Sequence, residues 1–489
     1  MKILLAGYNI DYDLIRELKD KCAFEEDITP ETISAAYARI SRSPKSVDEL
    51  RQIARKEVDK ARKSNRNIVF EMGHSSVAEH AVFNIDVVGV SRLLVEEIEK
   101  FRLCSYTEKS QRYVLFDKDF VIPEEIEKAG LVDLFVGTID IQNNYYHELY
   151  SELRPYVFAE NKVLAKNPAN KSLLEGWAKE DARYVIALAT QTQLGMTINA
   201  RNLELMLRRL AALPLAEAQE YSKKLYAVTG DIAPSLIRYT EATDYDRFTR
   251  LNLQRQATVI ANKYYQQSGV GKSPAVQLIF VTPDADIQAA AALLFSSFKA
   301  SHSQCLRQAH LMTAKEKKDL FKTAFQNLQA HDAALRELEN IDLQFELVMS
   351  ASCFAQLKRH RMATVITQDY DPGLGVTIPA AVSAIGQQKR FLEIINKTHD
   401  AYEQIRKKAP LAAPYVLTNA HRKRVLMKLN ARELYHLVRL RSDGHAQWDI
   451  RRLSEEMLKK AKQVMPLTLM LASGKDCFVD LYKKTFPCI

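Results

Sequence analysis

Residues Lys100–Tyr113, KFRLCSYTEKSQRY, form a polar stretch between two apolar segments of the chain. The stretch is too polar for a hydrophobic core and too aromatic for an ordinary solvent loop. In Ser110-Gln111-Arg112 a planar guanidinium follows a hydroxyl group closely, and this combination can hold a phosphate. Glu108 would repel the same phosphate, so we expect it to face a sugar hydroxyl or an imide N–H. By itself the stretch also fits a charged helix end followed by a turn.

The sequence upstream adds a second motif, His74–His80 (HSSVAEH), followed by an apolar strand and a helix. In this order the segments resemble the flavin-dependent thymidylate synthases. That family has a His-x-[Ser/Thr]-x-x-Glu-His segment and then the signature Arg-His-Arg-x-x-Ser-x-x-Glu-x-Ser-x-Arg. The latter half of the signature is intact at four positions, namely Ser105, Glu108, Ser110 and Arg112. Its first triplet is replaced by Lys100-Phe101-Arg102.

The order of elements begins again after residue 275. A strand is predicted at Val276–Val281, and a second alternating strand at 341–348 precedes a helix that carries Gln356 and Arg359-His360-Arg361. Arg359 lies 259 positions after Lys100, and Asn430 of a second Asn-Ala-Arg motif lies 231 positions after Asn199. The first motif is expected to open a helix at 197–201, and the second, at 429–432, matches that helix opening. The chain is therefore predicted to be a tandem duplication.

The predicted fold class is α+β, with two tandem flavin-dependent thymidylate synthase-like domains. Each domain is expected to be a small β-sheet packed with several helices. We predict a first domain at 1–268, a linker at 269–275 and a second domain at 276–489. The linker prediction rests on two glycines and a nearby proline in a segment without an apolar run.

The resemblance also implies composite active sites, because the family's sites form between subunits of a homotetramer. One set of site residues is kept in the first repeat: Glu108, Ser110, Arg112 and Arg183. The complementary set is kept in the second repeat: Gln356, Arg359, His360, Arg361, Arg441 and His445. Random decay would strike both sets in both copies. We therefore expect two chains to form a homodimer that is a pseudo-tetramer with two competent sites, within one chain or between chains.

The implied reaction is the reductive methylation of dUMP to dTMP, with methylenetetrahydrofolate and NADPH as co-substrates and FAD as cofactor. Arg441 is the expected catalytic residue, because a fixed positive charge beside the uracil imide stabilises the N3 anion. The expected dUMP-binding residues are Gln356, Arg359, Glu108, Ser110, Gln111, Arg112, Arg183 and Arg441. The expected FAD-binding residues are His74, Ser76, Glu79, Glu108, Arg359, His360, Arg361, Asn199, Arg201, Asn430, Arg432, His436 and His445. His436 lies where the family often has a flavin-contacting Asn, and either Asn-Ala-Arg motif could serve the competent site.

Composition sets limits on partners and compartment. Hydrophobic residues make up 47% of the 489 positions, which is typical of a globular protein, and no apolar run approaches the length of a membrane helix. We therefore predict a cytoplasmic protein without a membrane partner. The net charge of +9 suits nucleotides, folates and flavins, while the basic runs at 315–318 and 421–424 are predicted to be solvated helix faces and not a nucleic-acid surface.

The six cysteines form no CxxC pair and are predicted to be reduced thiols, with neither a metal site nor a disulfide framework. Two other functions stay open. The chain could be a flavoenzyme that acts on another pyrimidine nucleotide, because generic groups build the base pocket. It could also be a degenerate, non-catalytic flavin- or nucleotide-binding homologue.

Overall fold

A computed structural model describes residues 1–11, 14, 29–40, 43–112, 114–116, 119–264 and 274–487 of the 489-residue chain. The predicted linker at 269–275 lies outside the described residues except for positions 274 and 275. Cys22 and Cys488 also lie outside them, and the four described cysteines are free thiols. Among the described helices, none is both long and apolar enough to cross a membrane.

The first sequence repeat contains four strands, β1 (Lys2–Tyr8), β2 (Val82–Ser91), β3 (Cys104–Glu108) and β4 (Gln191–Asn199). Its described helices up to the middle of the repeat are α1 (Glu31–Arg39), α2 (Val47–Lys56), α3 (Val58–Arg66), α4 (Arg92–Ile98), α5 (Glu124–Lys128) and α6 (Val132–Glu160). The remaining helices are α7 (Lys162–Ala165), α8 (Lys171–Ala182), α9 (Ala200–Ala211), α10 (Ala216–Thr229) and α11 (Asp244–Tyr264).

The second repeat follows the same plan, with strands β5 (Val276–Val281), β6 (Asp342–Ser350), β7 (Thr364–Thr367) and β8 (Arg422–Asn430). Its first described helices are α12 (Ala285–Ser297), α13 (His302–Leu311), α14 (Ala314–Phe325) and α15 (Ala351–Leu357). The later ones are α16 (Ala380–Ala384), α17 (Gln388–Lys408), α18 (Ala431–Arg441), α19 (Trp448–Val464) and α20 (Phe478–Thr485).

Both repeats build the same antiparallel sheet. The strand orders are β1-β2-β4-β3 and β5-β6-β8-β7, so the α+β prediction with a small sheet in each half is confirmed. The registers agree as well, because Asn199 pairs with Val82 and Asn430 pairs with Asp342 at the start of the central strand pair. A β-bulge in β2 between Val88 and Val90 adds one residue that β6 lacks.

The contacts divide the chain into two compact units that do not coincide with the two repeats. Unit 1 contains Met1–Lys179, Ile186–Gln267 and Arg390–Leu417. Unit 2 contains Glu180–Val185, Ser268–Lys389 and Thr418–Ile489. Each unit therefore includes a segment of the other repeat, and the predicted domain limits remain a prediction from sequence.

The core of each unit lies against one face of its sheet. In unit 1 the buried face of β2 and β4, including Phe83 and Met196, packs with helix residues such as Leu94 and Leu207. In unit 2 Phe345 and Met427 of the central strands are buried in the corresponding cluster. The alternation of buried and exposed positions along these strands orients one side of each sheet toward its helices.

Three expectations about local structure were wrong. Helix α15 ends at Leu357, so Arg359-His360-Arg361 lies in the turn after the helix. The segment from Thr197 completes strand β4 and does not open a helix, which starts only at Ala200. The basic run at 421–424 enters strand β8 instead of a helix, and Lys423 is buried with its ammonium group 3.9 Å from the centre of the Tyr370 ring.

Candidate functional site

Helix α15 positions the motif residues of unit 2. Ser350 caps its first turn by accepting a hydrogen bond from the backbone N–H of Cys353, which starts the helix directly at the end of β6. Gln356 is in the last turn, and Arg359-His360-Arg361 follows. Arg359 is exposed and His360 is buried, so the turn directs alternate side chains to different environments.

Two buried polar side chains of α15 have atoms without a hydrogen-bond partner among the described residues. These atoms are Nε2 of Gln356 and Oγ of Ser352. The side chains are four positions apart and so share one face of the helix. Because an unpaired buried polar atom costs free energy, this face fits a ligand that supplies the missing partners.

Hydrogen bonds connect the side chains of Glu433, His360 and Arg441 in series next to the turn at 359–361. Nδ1 of His360 lies 3.2 Å from Oε1 of Glu433, and Nε of Arg441 donates to Nε2 of His360 at 3.1 Å. Burial lowers the pKa of His360, the hydrogen bond to Glu433 opposes this effect, and the positive charge of Arg441 adds to it. The imidazole is therefore held neutral between a carboxylate and a guanidinium.

A cavity of about 340 Å³ opens at the start of helix α18. Its lining includes three of the expected FAD-binding residues, Asn430, Arg432 and His436. Asn430 also caps α18 through the backbone N–H of Glu433, and Arg432 pairs with Glu339 at 2.9 Å. Arginine and amide donors around a concavity suit an anionic group such as the pyrophosphate of a dinucleotide, so the donor set fits part of FAD.

Glu433 and two histidines form a cluster that could in principle ligate a metal ion. The ligand atoms of His360, Glu433 and His436 lie within 4.8 Å of one another. However, both ring nitrogens of His360 already face other groups, and the Arg441 cation opposes a second cation beside it. These contacts favour the hydrogen-bonded chain over metal ligation.

Arg183 belongs to the first repeat in sequence but to unit 2 in the structure. Its backbone carbonyl accepts a hydrogen bond from Asn419, and its side chain is buried. The next residue, Tyr184, stacks on Trp448 with 5.6 Å between ring centroids and donates its hydroxyl to Asp449. The segment is thus fixed within unit 2 on both sides of its backbone.

Arg183 and Arg441 act on a common group inside unit 2. Burial raises the pKa of the Cys353 thiol well above its ordinary value, and the charge of Asp449 raises it further. The positive charges of Arg452, Arg441 and Arg183 favour its ionised form and partly offset that rise. Unit 2 therefore contains guanidinium groups that come from different repeats.

The other expected dUMP-binding residues lie in unit 1. Glu108 forms a buried ion pair with Arg92, with 3.3 Å between Oε1 and Nη1. The hydroxyl of Ser110 accepts a hydrogen bond from the backbone N–H of Arg112, so it shapes the turn after β3. Gln111 is buried and Arg112 is half-buried in this turn.

The expected flavin residues of unit 1 surround the start of helix α9. His74 and Ser76 are exposed in the turn before β2, and Glu79 pairs with Arg201 at 2.5 Å. Asn199 caps α9 through the backbone N–H of Asn202. The pair formed by Glu79 and Arg201 corresponds to the pair of Glu339 and Arg432 in unit 2, so both Asn-Ala-Arg motifs build the same cap and ion pair.

His445 is exposed to solvent, unlike the buried side chains of His360 and Glu433. Its side chain is 89% exposed, and Nδ1 lies 2.8 Å from Oδ1 of Asp443. The loop that carries it leads into α19, where Oε1 of Gln447 accepts hydrogen bonds from the backbone N–H groups of Asp449 and Ile450 in the first turn. His445 is thus placed where a bound cofactor could still reach it, outside the protein interior.

Two residues of this region were not singled out from sequence, Glu433 and Ser352. Glu433 immediately follows the Asn-Ala-Arg motif, and its counterpart in the first repeat, 231 positions earlier, is Asn202. Ser352 lies in a segment that the motif does not cover. A position-by-position comparison of the two repeats would have marked both residues, because a carboxylate replaces the amide of Asn202 at Glu433 and a hydroxyl replaces the apolar Leu93 at Ser352.

Comparisons with known proteins agree with the duplicated architecture. The family model of the thymidylate synthase complementing protein matches the chain twice, at residues 25–235 and 277–467. A flavin-dependent thymidylate synthase of Clostridium tetani is 30% identical over 215 residues, which is 43% of this chain and 82% of that protein.

Other similar proteins have the full duplicated length. A UPF0159 protein of Chlamydia muridarum is 25% identical over 426 residues, covering 84% of this chain and 80% of the relative. A UPF0159 protein of Thermoplasma acidophilum is 23% identical over 471 residues, covering 88% and 93%. A Helicobacter pylori flavin-dependent thymidylate synthase, solved with FAD and dUMP, overlays on 49% of the chain with a TM-score of 0.33 and 16% identity, which is too low to carry an argument.

Proposed function

Because the chain belongs to the thymidylate synthase complementing protein family, the family of flavin-dependent thymidylate synthases, we propose that it converts dUMP to dTMP. NADPH would reduce the bound FAD, the reduced flavin would supply the hydride, and methylenetetrahydrofolate would be the carbon donor. In this proposal each repeat contributes half of the groups of one competent site, and two chains associate as a pseudo-tetramer.

The position of Arg183 supports the proposal most. It is a first-repeat residue that lies in unit 2 with Gln356 and Arg441 of the second repeat. This grouping follows the division of site residues between the repeats, since Arg183 belongs to the set that the second repeat has lost. A purely structural protein would have no reason to retain a buried guanidinium in the same compact unit as two residues of the complementary set.

The nucleotide base would be held by the polar face of helix α15 and by Arg441. The buried Nε2 of Gln356 is a donor that a uracil carbonyl oxygen can accept from. The guanidinium of Arg441 stabilises negative charge at N3, and this makes C5 more nucleophilic. Removing one such fixed charge costs about 3 kcal/mol of transition-state stabilisation.

The phosphate would be held by donors that suit a dianion. Arg112 supplies a planar fork, the Ser110 hydroxyl supplies a donor, and Arg183 adds a buried positive charge. Glu108, Gln111 and Arg359 are the other expected dUMP contacts. The expected contacts to FAD include His74, Ser76, Glu79, Asn199 and Arg201 in the first repeat, and Arg359, Arg361, Asn430, Arg432, His436 and His445 in the second. These cationic and amide groups would orient the cofactor and hold its pyrophosphate.

The test is an assay of the purified full chain. We expect a flavin absorbance spectrum and the formation of dTMP from dUMP when methylenetetrahydrofolate and NADPH are present. Expression of the chain should also rescue a thymidine auxotroph. A flavin-containing protein that methylates another pyrimidine nucleotide but not dUMP would contradict the substrate, and a protein without flavin or nucleotide binding would contradict the enzyme.

A further inference from the structure

We propose that Glu433 is a positioning residue that holds the Arg441 guanidinium in its working orientation through the imidazole of His360. This inference rests on the proposed function for the role of Arg441 toward the uracil ring. It gives Glu433 a role that the sequence motifs do not assign, and it makes His360 a support behind Arg441 instead of a direct contact of the flavin.

The hydrogen-bond directions fix the tautomer of His360. Nε of Arg441 is always a donor, so Nε2 of His360, 3.1 Å away, must accept. A neutral imidazole that accepts at Nε2 carries its proton on Nδ1. That proton points to Oε1 of Glu433 at 3.2 Å, and a carboxylate is the acceptor that stabilises this tautomer.

Burial makes the chain of contacts rigid. The side chains of His360 and Glu433 are only 2% and 10% exposed. The ring of His436 packs edge-on against His360, with 5.6 Å between centroids, and closes the side toward the cavity. Arg441 is half-buried at the end of α18, so a long side chain with many rotamers gains a fixed anchor at Nε. The anchor sets the plane of the guanidinium and hence the direction of its remaining donors.

The first repeat has lost all three members at the corresponding positions. Phe101 stands for His360, Asn202 for Glu433 and Leu210 for Arg441, at the offsets of 259 and 231 positions that the strand registers define. Leu210 and Phe101 both pack with the apolar core of unit 1. A histidine and a glutamate that served only to stabilise the fold could have survived without the arginine. Their joint absence where the arginine is absent indicates a common purpose.

The test is a double-mutant cycle on dUMP binding by the full chain, measured by isothermal titration calorimetry. We expect Glu433→Ala to weaken binding about tenfold, the effect of disturbing one charge-assisted hydrogen bond. Arg441→Lys keeps a positive charge but lacks the Nε–H donor. In that background Glu433→Ala should weaken binding by less than about twofold, because coupled residues are not additive. Glu455→Gln, an exposed carboxylate on α19, is the control and should leave affinity unchanged.

A ligand-free measurement separates this proposal from the proposed function. In the ¹⁵N NMR spectrum of the wild-type chain we expect His360 as the neutral Nδ1–H tautomer, and in Glu433→Ala a shift toward Nε2–H. Equal loss of affinity in both backgrounds, or an unchanged tautomer in Glu433→Ala, would overturn the positioning role. If the wild-type chain shows the expected tautomer and its loss in Glu433→Ala but does not bind dUMP, the contact chain stands and the proposed substrate fails.

Discussion

At the scale of single residues, Asp181 links the placement of Arg183 to pH. Asp181 lies two residues before Arg183 in the sequence, and its Oδ1 accepts a hydrogen bond of 2.7 Å from the indole N–H of Trp448. Burial raises the pKa of Asp181 from 3.8 to about 7, although the hydrogen bond from Trp448 opposes the rise. The carboxyl group therefore changes its charge near neutral pH.

We expect the stability of unit 2 to fall as pH rises from about 4 to 7. In this window the folded state keeps a proton on Asp181 that the unfolded chain has already lost, so the free energy of unfolding decreases with pH. Asp181→Asn keeps an acceptor oxygen for Trp448 but removes the titration, and it should be more stable than wild type above pH 7 by about 1 to 4 kcal/mol. The measurement is urea unfolding at several pH values, followed by Trp448 fluorescence in a Trp177→Phe background.

The same background gives the control for this prediction. The chain has two tryptophans, so the Trp177→Phe chain reports on Trp448 alone. If the free energy of unfolding changes with pH in the same way for Asp181 and for Asp181→Asn between pH 4 and 8, Asp181 does not titrate in this range.

Individual site residues were predictable only where a motif contains them. Arg112, Arg359 and Arg441 stand at motif positions, and their chemical type is visible in the sequence. The pairing of Glu108 with Arg92 was not predictable, because Arg92 is in a different element and its burial depends on tertiary packing. Glu433 was missed for the same reason, since its contact with His360 joins positions 73 residues apart.

At the scale of elements, each unit contains a buried carboxyl group that accepts a hydrogen bond from a tyrosine of the other repeat. In unit 1 Glu217 accepts hydrogen bonds from the Ser91 hydroxyl and from the Tyr415 hydroxyl, each at 2.7 Å. In unit 2 Asp449 accepts from Ser350 at 2.6 Å and from Tyr184 at 3.2 Å. Tyr415 lies 231 positions after Tyr184, so the two clusters are equivalent.

We expect Tyr415→Phe to destabilise unit 1 by about 1 to 2 kcal/mol, because the buried Glu217 carboxylate loses one of its donors. Burial raises the pKa of Glu217, and the hydrogen bond from Tyr415 opposes that rise, so the variant should raise this pKa further. The urea midpoint measures the loss. Tyr245→Phe changes a tyrosine that is 68% exposed and should leave the midpoint unchanged. An equal shift in both variants would show that the Glu217 contact contributes nothing.

Strands were predicted less completely than helices. The alternation in β2 and β6 predicts both strands, whereas the ends of β4 and β8, from Thr197 and Leu429, are expected to open helices because each Asn-Ala-Arg motif begins the helix that follows. Their buried positions alternate as clearly, for example at Leu194 and Met196. The change of offset from 260 to 259 positions between the repeats is explained by the bulge at Gly89, whose φ of 75° is favoured by glycine.

At the scale of the whole molecule, the duplication was predictable and the exchange of segments was not. Two copies of a motif at nearly constant offset reveal a tandem repeat. The sequence does not reveal which copy a segment packs with, and Glu180–Val185 and Arg390–Leu417 each belong to the unit that contains most of the other repeat. The hydrogen bonds of Tyr415 to Glu217 and of Tyr184 to Asp449 fix the unit in which each segment packs, and these tertiary contacts cannot be read from the sequence.

The central claim is that each repeat keeps only half of one competent site. The chain offers matched positions to test it, since Asp371 corresponds to Arg112 and Lys100 corresponds to Arg359. In the structure Lys100 forms an exposed ion pair with Glu97, and Asp371 accepts a hydrogen bond from the backbone N–H of Gly373 in a surface turn. We therefore expect neither Lys100 nor Asp371 to contribute to the rate of dTMP formation.

The most direct measurement is the rate of dTMP formation by four alanine variants under identical conditions. We predict that Arg112→Ala and Arg359→Ala each lose at least about 100-fold in kcat/KM, a loss of about 2.7 kcal/mol in transition-state binding. Lys100→Ala and Asp371→Ala should stay within about twofold of wild type. Loss of activity in both members of either pair, or in neither member, would contradict the account.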